Sequence, residues 1–114
     1  MIYENLPVYK ATHDLLLYIF QLHRNFQREY RYTLGENIKT ELVNLLLCIY
    51  KANSEQEKSP ILSRANEHVA AIKIQLRLLM DLKQISQKQY ANATVQIESI
   101  SKQLAMWNKY NKKK

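Results

Sequence analysis

Three histidines and one cysteine are the side chains best suited to bind a metal or attack a substrate. His13 and His23 are ten residues apart and His68 stands alone beside Glu67, so none has the spacing of a zinc site. Cys48 follows a run of leucines, and a thiol in apolar surroundings has a raised pKa and is usually a packing residue. The pattern predicts no enzymatic activity, no metal and no cofactor. A thiol- or metal-dependent enzyme is the weaker alternative.

Arginine, lysine and tyrosine carry the remaining chemical signal. The chain has 17 Lys and Arg against 10 Asp and Glu, a net charge of +7, and a field of that sign favours polyanions. Arginine can pair with a phosphate while a neighbouring tyrosine, such as Tyr30 or Tyr32, stacks on a base. The predicted nucleic-acid-binding residues are Arg24, Arg28, Arg31, Lys73, Arg77, Lys83 and Lys88. The alternative is an ordinary solvated face in which Arg77 pairs with Asp81 one helical turn away.

These side chains are expected on helices, because one glycine and two prolines in 114 residues are too few for strands joined by tight turns. The length predicts a single domain over residues 1–114. Apolar residues at 3-4 spacing predict four helices, over residues 7–28, 34–53, 60–83 and 87–110. Short connections between them predict an all-α, antiparallel up-down-up-down four-helix bundle.

The helix starts and the chain end have local signals of their own. Pro7 suits the first turn of the first helix. Capping boxes, in which the first and fourth residues exchange hydrogen bonds, are predicted at Thr33–Glu36 and Ser86–Gln89. Ser59 followed by proline predicts an N-cap for the third helix. The polar tail, residues 111–114, is expected to be frayed.

The third predicted helix is apolar on two sides. The stripe opposite its core-facing side consists of Ala71, Ile74, Leu78, Leu82 and Ile85. A bundle helix needs a single stripe about 100° wide, and contiguous exposed apolar patches usually mark interfaces. This second stripe is therefore the predicted interface of a homo-oligomer. The alternative is a deeply packed helix whose neighbours cover both sides. The apolar face of the first helix is also broad, because Tyr9, Leu16 and Phe20 lie beside its main stripe.

No secretion signal or membrane span is apparent in the sequence. Residues 1–5 lack a basic region followed by an apolar one, and no apolar stretch approaches the ~18 residues that span a bilayer. A single unpaired cysteine is typical of a reducing compartment. We expect a cytoplasmic protein without membrane contact.

Five stretches resemble a family of bacterial four-helix-bundle proteins that includes the accessory variability determinant of diversity-generating retroelements. They are Leu6–Ala11, Phe26–Glu36, Ile49–Asn53, Leu76–Leu79 and Asp81–Ser86. The most specific is the exit of the first helix into the Tyr-Thr-Leu-Gly turn. A sister branch, encoded in intervening sequences of large-subunit ribosomal RNA genes, tends to carry a proline-containing Asn-Ile-Ala-Glu-Gly stretch near the end of the second helix. This chain has Tyr50–Asn53 there, which favours the retroelement branch.

The resemblance implies a homopentameric barrel of four-helix protomers with a basic surface. It also implies association with nucleic acid and with the reverse transcriptase of the element, in support of mutagenic, template-directed copying of a repeat into a target gene. The family supplies no catalytic residue, so the basic residues named above remain the predicted site. The alternatives are a structural oligomeric interaction protein and an intervening-sequence-type four-helix protein, neither with a retroelement role.

Overall fold

The computed structural model describes residues 2–112, which form helices and turns without any β-strand. A 3-10 turn (Tyr3–Asn5) precedes α1 (Pro7–His23), and a short helix α2 (Arg28–Arg31) precedes α3 (Leu34–Ser54). Two further long helices follow, α4 (Ser59–Asp81) and α5 (Gln87–Lys112). No helix in this part of the chain is long and apolar enough to cross a membrane. The four long helices are those predicted from the apolar spacing.

Each long helix buries one stripe of side chains at 3-4 spacing. The stripes are Val8, Thr12, Leu15, Ile19 and Leu22 on α1, Ile38, Leu42, Leu45, Ile49 and Ala52 on α3, Leu62, Ala65, Val69, Ile72, Leu76 and Leu79 on α4, and Ala93, Ile97, Ile100 and Leu104 on α5. Thr12 is polar, but its hydroxyl donates to the Val8 carbonyl at 2.8 Å, which satisfies it inside the core. The four stripes meet in one core.

The packing of the helices defines two ends of the bundle. α1 packs on α3 and α5, and α4 also packs on α3 and α5, so α1 and α4 lie on a diagonal. The bundle extends 47 Å by 22 and 21 Å. Because consecutive long helices are antiparallel, residues 24–33 and the α4–α5 turn lie together at what we call the upper end. The α3–α4 connection, residues 55–58, lies at the lower end.

The first helix is shorter than predicted. α1 ends at His23 instead of reaching Arg28, and α2 follows as a separate turn of helix. The N–H of Phe26 donates to the carbonyl of His23 at 3.1 Å, a bond three residues back that tightens the chain into a turn. The turn places Phe26 in the core, where only 2% of it is exposed. Burial of an aromatic ring contributes about 1.5–3 kcal/mol, which favours the break over a longer helix.

Thr33 occupies the N-cap position of α3, but the capping box predicted there does not form. Its hydroxyl donates to the Glu29 carbonyl at 2.8 Å instead. The Glu36 carboxylate, the other half of the predicted box, accepts from Lys39 Nζ at 2.9 Å. The physical reason is the short helix α2, because its carbonyls lack helical partners and compete for the hydroxyl.

The other two predicted helix starts differ in outcome. The capping box at α5 is confirmed, since the Gln89 N–H donates to Ser86 Oγ at 3.0 Å and the Ser86 N–H donates to Gln89 Oε1 at 2.9 Å. Ser59 is the first residue of α4, and Lys58 occupies the N-cap position. The Ser59 hydroxyl contacts Asn108 Oδ1 on α5 at 3.3 Å, a contact between helices that sequence spacing does not reveal.

The remaining boundaries lie within two residues of the predicted ones. The frayed tail is wrong for Asn111 and Lys112, because α5 continues through both. The prediction for the last two lysines lies outside the described residues.

Candidate nucleic-acid interface

A pair of glutamines ties together the two chain segments at the upper end. The Gln27 N–H donates to Gln84 Oε1 at 2.7 Å, and Gln84 Nε2 donates to Gln27 Oε1 at 3.2 Å. Gln84 Nε2 also donates to the Leu82 carbonyl at 2.9 Å. Residues far apart in sequence are thus joined directly, so the basic residues beside them belong to a single surface.

The α4–α5 turn holds its lysine in an unusual backbone conformation. Lys83 has a φ of 61°, in the left-handed region that favours glycine. The Lys83 N–H donates to the Met80 carbonyl at 2.9 Å, and the Gln84 N–H donates to the Leu79 carbonyl at 2.8 Å. This pattern is the Schellman motif that ends many helices. The two hydrogen bonds of this motif fix the backbone conformation of Lys83 in the α4–α5 turn.

Four of the seven predicted binding residues come together at the upper end. Arg24 is the C-cap of α1, Arg28 begins α2, Lys83 lies in the α4–α5 turn and Lys88 lies in the first turn of α5. All four are exposed, and none forms an ion pair with another residue between 2 and 112. We call these four residues the upper basic cluster. Tyr32, in the same connection, is 66% exposed.

Arg31, another of the seven predicted binding residues, forms contacts within the fold that the sequence did not predict. Its guanidinium donates to the carbonyls of Phe26 at 3.2 Å and of Arg24 at 3.4 Å, and the residue is half-buried. Carbonyls at the end of a helix lack helical partners, and cationic side chains commonly bond to them. Arg31 therefore closes the end of α1 and is not an open phosphate ligand.

Lys73 and Arg77 lie along the side of α4, away from the upper basic cluster. Lys73 Nζ is 2.7 Å from Glu98 Oε1 on α5. Arg77 Nε donates to the Asp81 carboxylate at 3.2 Å, and this hydrogen bond raises the pKa of the guanidinium. For these two residues the structure shows the paired, solvated face that was the alternative interpretation.

The glycine of the Tyr-Thr-Leu-Gly turn has a steric role. Gly35 is buried under His23, whose Nε2 lies 2.8 Å from the Arg31 carbonyl. A Cβ on Gly35 would lie 2.6 Å from His23 Cδ2 and 3.1 Å from the Tyr30 carbonyl oxygen. A side chain at this position would therefore require the His23 ring to move from its contact with the Arg31 carbonyl.

Cys48 and His68 occupy structural positions, whereas His13 is exposed on α1. Cys48 is 8% exposed, and burial raises the pKa of its thiol, which disfavours the nucleophilic thiolate. His68 Nδ1 is 2.6 Å from Glu41 Oε2, a bond between α4 and α3. Within residues 2–112 no three His, Cys, Asp or Glu side chains are placed to hold a metal ion.

The predicted oligomer stripe on α4 is mostly exposed. Ile74 is 62% exposed, Leu78 is 44% and Leu82 is 39%, while Ala71 is half-buried. Ile85 is a correction, because the α4–α5 turn directs it into the protomer's own core, where it is 4% exposed. We call Ala71, Ile74, Leu78 and Leu82 the α4 ridge.

A second apolar surface, between α1 and α3, was missed at the level of sequence. It surrounds a cavity of about 350 Å³ lined by Tyr3, Tyr9, Val43, Leu46, Leu47 and Tyr50. We call it the α1–α3 groove. The broad apolar face of α1 was the part of the sequence pattern that indicated this groove. On α3 the 4-3 spacing of Val43, Leu47 and Tyr50 is a second stripe that helical periodicity reveals.

Together these features define a small basic four-helix bundle, with open cations at one end and apolar surfaces along its sides. A family model described as bAvd-like matches residues 6–111. The chain belongs to the bAvd-like family, and the family predicted from the five stretches is confirmed. No curated protein matches the chain.

Proposed function

We propose that this protein is a non-enzymatic, cytoplasmic accessory protein of a diversity-generating retroelement, and that it binds nucleic acid and the element's reverse transcriptase to support mutagenic copying. Membership of the bAvd-like family supports the accessory role. The observation that carries the nucleic-acid part is the upper basic cluster, in which four exposed, unpaired cations converge on one end.

Phosphate is the ligand that this cluster fits best. Exposed cations without acidic partners release counterions from nucleic acid when they neutralise its phosphates, and this release drives binding at low salt. The first turn of α5, with Lys88, adds backbone N–H groups and the positive end of a helix dipole. Tyr32 offers an exposed ring on which an unpaired base can stack. The expected ligand is therefore a nucleic acid with accessible phosphates and at least one unpaired stretch.

The test is a titration of single-stranded RNA, single-stranded DNA and duplex DNA at several salt concentrations. The test variant replaces Arg24, Arg28, Lys83 and Lys88 by Ala. The matched control replaces four exposed lysines elsewhere, Lys10, Lys51, Lys102 and Lys109, so both variants lower the net charge of +7 by four. On duplex DNA the test variant should lose about 0.9 from the salt slope for each phosphate contact removed.

A loss of affinity in the test variant that clearly exceeds that of the control supports the proposal. Equal losses in the two variants mean that overall charge, not the upper end, governs binding. Binding that does not respond to salt, or no binding to any of the three nucleic acids at low salt, contradicts the nucleic-acid part. Circular dichroism of both variants establishes that the bundle is intact.

The reverse-transcriptase part is tested separately. A reverse-transcriptase gene and a pair of near-identical repeats are expected beside the gene for this protein. The encoded enzyme, produced with an affinity tag together with this protein, should retain it on the resin. Absence of the neighbouring gene, or failure of the enzyme to retain the protein, contradicts this part and leaves the nucleic-acid part standing.

A second candidate function is that of a structural, oligomeric interaction protein, and the α4 ridge favours it. Aliphatic side chains as exposed as Ile74 and Leu78 are typical of interfaces when they form a contiguous patch. We propose self-assembly through this ridge, with five copies as the family resemblance implies. Light scattering gives the mass of the assembly. If the four-alanine variant of the upper end keeps its function in copying, the structural role is the better description.

A further inference from the structure

We propose that Gln84 is a positioning residue for nucleic-acid binding, because its side chain joins the chain segments that carry Arg28 and Lys83 before a ligand arrives. The inference deepens the proposed function and rests on it. It assigns part of the affinity to an uncharged side chain, whereas the upper basic cluster was identified by its charges. The partner remains a nucleic acid, whose phosphates contact cations of both segments at once.

The hydrogen bonds of Gln84 lie between two cations of the upper basic cluster, one from each segment. Arg28 directly follows Gln27 in the chain, and Lys83 directly precedes Gln84. The Gln27 N–H donates to Gln84 Oε1 at 2.7 Å, and Gln84 Nε2 donates back to Gln27 Oε1 at 3.2 Å. The two segments are therefore tied together within one residue of each cation.

The Gln84 side chain is held in place by its own turn. Its Nε2 donates to the Leu82 carbonyl at 2.9 Å, and its backbone N–H donates to the Leu79 carbonyl at 2.8 Å. The amide group therefore uses its oxygen for the Gln27 N–H and its nitrogen for two carbonyl oxygens. No other uncharged side chain of this length offers one such acceptor and two N–H donors. A glutamine thus fits this link by its chemistry as well as by its reach.

The other contacts described for residues 24–33 connect this segment to α1. The Arg31 guanidinium donates to the Phe26 carbonyl at 3.2 Å. The Arg31 carbonyl in turn lies 2.8 Å from Nε2 of His23, the last residue of α1. Neither contact reaches the α4–α5 turn, whereas the hydrogen bonds of Gln84 do. The Gln84 side chain therefore restricts the separation of this segment from the α4–α5 turn.

Repulsion between like charges makes such a link useful. Arg28 and Lys83 both carry a positive charge, and charges of one sign oppose the close approach of their segments. A ligand that had to bring the segments together itself would lose part of its binding free energy to that ordering. With the Gln84 link in place, a larger fraction of the free protein has both cations ready for phosphates. The apparent affinity rises in proportion to that fraction.

The experiment compares Gln84→Met with the matched control Gln103→Met, both in the full chain. Methionine is an unbranched side chain of similar length that lacks the amide group. Gln103 is also half-buried and hydrogen-bonded, with Nε2 donating to Ser99 Oγ at 3.2 Å. It lies roughly 24 Å along α5 from the first residue of that helix. Both variants keep the net charge of +7, so a difference between them does not come from charge.

Each protein is titrated at low salt with the same single-stranded RNA and the same duplex DNA. Gln84→Met should bind about 2- to 10-fold more weakly than the unchanged protein, the range that corresponds to the loss of ordinary hydrogen bonds. Gln103→Met should bind as the unchanged protein does. Circular dichroism verifies that both variants are folded. Should Gln84→Met fail to fold, Gln84→Ala and Gln103→Ala replace the pair.

Amide hydrogen exchange, followed by NMR, gives a readout that a general loss of stability would not reproduce. In the unchanged protein the Gln27 amide should be protected by its bond to Gln84. Gln84→Met should remove this protection, while the amides of the buried α3 stripe stay protected as in Gln103→Met. Gln84→Glu keeps an acceptor for the Gln27 N–H and should therefore keep the Gln27 amide protected.

The contrary outcomes are distinct. If Gln84→Met and Gln103→Met bind equally well, the inference is overturned while the nucleic-acid function proposed above stands. If Gln84→Met binds more weakly but its Gln27 amide stays protected, the loss does not come from the link and the positioning role is overturned. If the unchanged protein binds neither nucleic acid, the inference fails together with the proposed function.

Discussion

The two ends of the bundle use their cations differently. At the lower end, Lys58 Nζ donates to the Ala52 carbonyl at 2.5 Å and to the Glu55 carbonyl, and it lies 5.8 Å from the centre of the Trp107 ring. The Lys58 ammonium group therefore supplies hydrogen bonds to carbonyls at the end of α3 that lack helical partners. At the upper end, the four residues of the upper basic cluster have no such task. Cations that the fold does not use remain available to a partner.

Arg31 shows that the distinction depends on contacts and not on position along the chain. It lies within seven residues of Arg24 and Arg28, yet its guanidinium bonds to two carbonyls as Lys58 does. The upper end thus contains both kinds of cation. The contrast separates residues that stabilise the protein from residues proposed to bind nucleic acid, and each kind has a different expected response to mutation.

The largest expected effect comes from removing the ring that anchors the upper connection. Phe26→Ala should lower the free energy of unfolding by about 3–5 kcal/mol, because the cavity it leaves adds to the lost burial. Urea denaturation followed by circular dichroism measures the change. Leu17→Ala, at a residue that is 50% exposed, is the control and should cost much less. A small effect of Phe26→Ala would mean that the upper connection does not depend on this anchor.

The next effect distinguishes the two kinds of cation directly. Arg31→Ala and Lys58→Ala should each lower the free energy of unfolding by about 1.5–3 kcal/mol, the range for hydrogen bonds to charged groups. Arg24→Ala and Arg28→Ala should each change it by less than about 0.5 kcal/mol, as is usual for surface substitutions without partners. The salt-dependent titration should show the opposite order, with losses of affinity at Arg24 and Arg28. Equal stability losses at all four positions would remove the distinction.

The core of this protein was predictable from sequence because helical periodicity encodes it. The main-stripe residues that recur at 3-4 spacing on α1, α3 and α4 are buried, including the polar Thr12, and Phe26 is buried in the turn that follows α1. Burial at 3-4 spacing depends on the identity of residues one turn apart, which the sequence gives directly. The all-α architecture followed from the same patterns, whereas the family followed from the resemblance of five stretches, and the assembly and the partners remain predictions.

The helix ends and the site were predictable only in part, because they depend on contacts between distant segments. Thr33 had the sequence of a capping box, but the competing carbonyl of Glu29 belongs to a short helix that the spacing did not predict. Arg28 and Arg31 are the same residue type in the same segment. Only the fold shows that Arg31 donates to the Phe26 carbonyl and Arg28 does not. The hydrogen bonds between Gln27 and Gln84 join two basic segments into one surface. The sequence of neither segment predicts this contact.

The smallest expected effect separates stability from binding at a single residue. Lys83→Gly should raise the free energy of unfolding by up to about 1 kcal/mol, because relief of ~1–2 kcal/mol of left-handed strain exceeds the ~0.5–1 kcal/mol entropy cost of glycine. The same change should weaken nucleic-acid binding through the lost charge. Lys83→Ala removes the charge but keeps the strain, so it should bind as weakly as the glycine variant without the gain in stability. If the two variants are equally stable, the φ of 61° carries no strain. If both bind as the unchanged protein does, Lys83 does not belong to the interface, and the upper basic cluster is reduced to its remaining three cations.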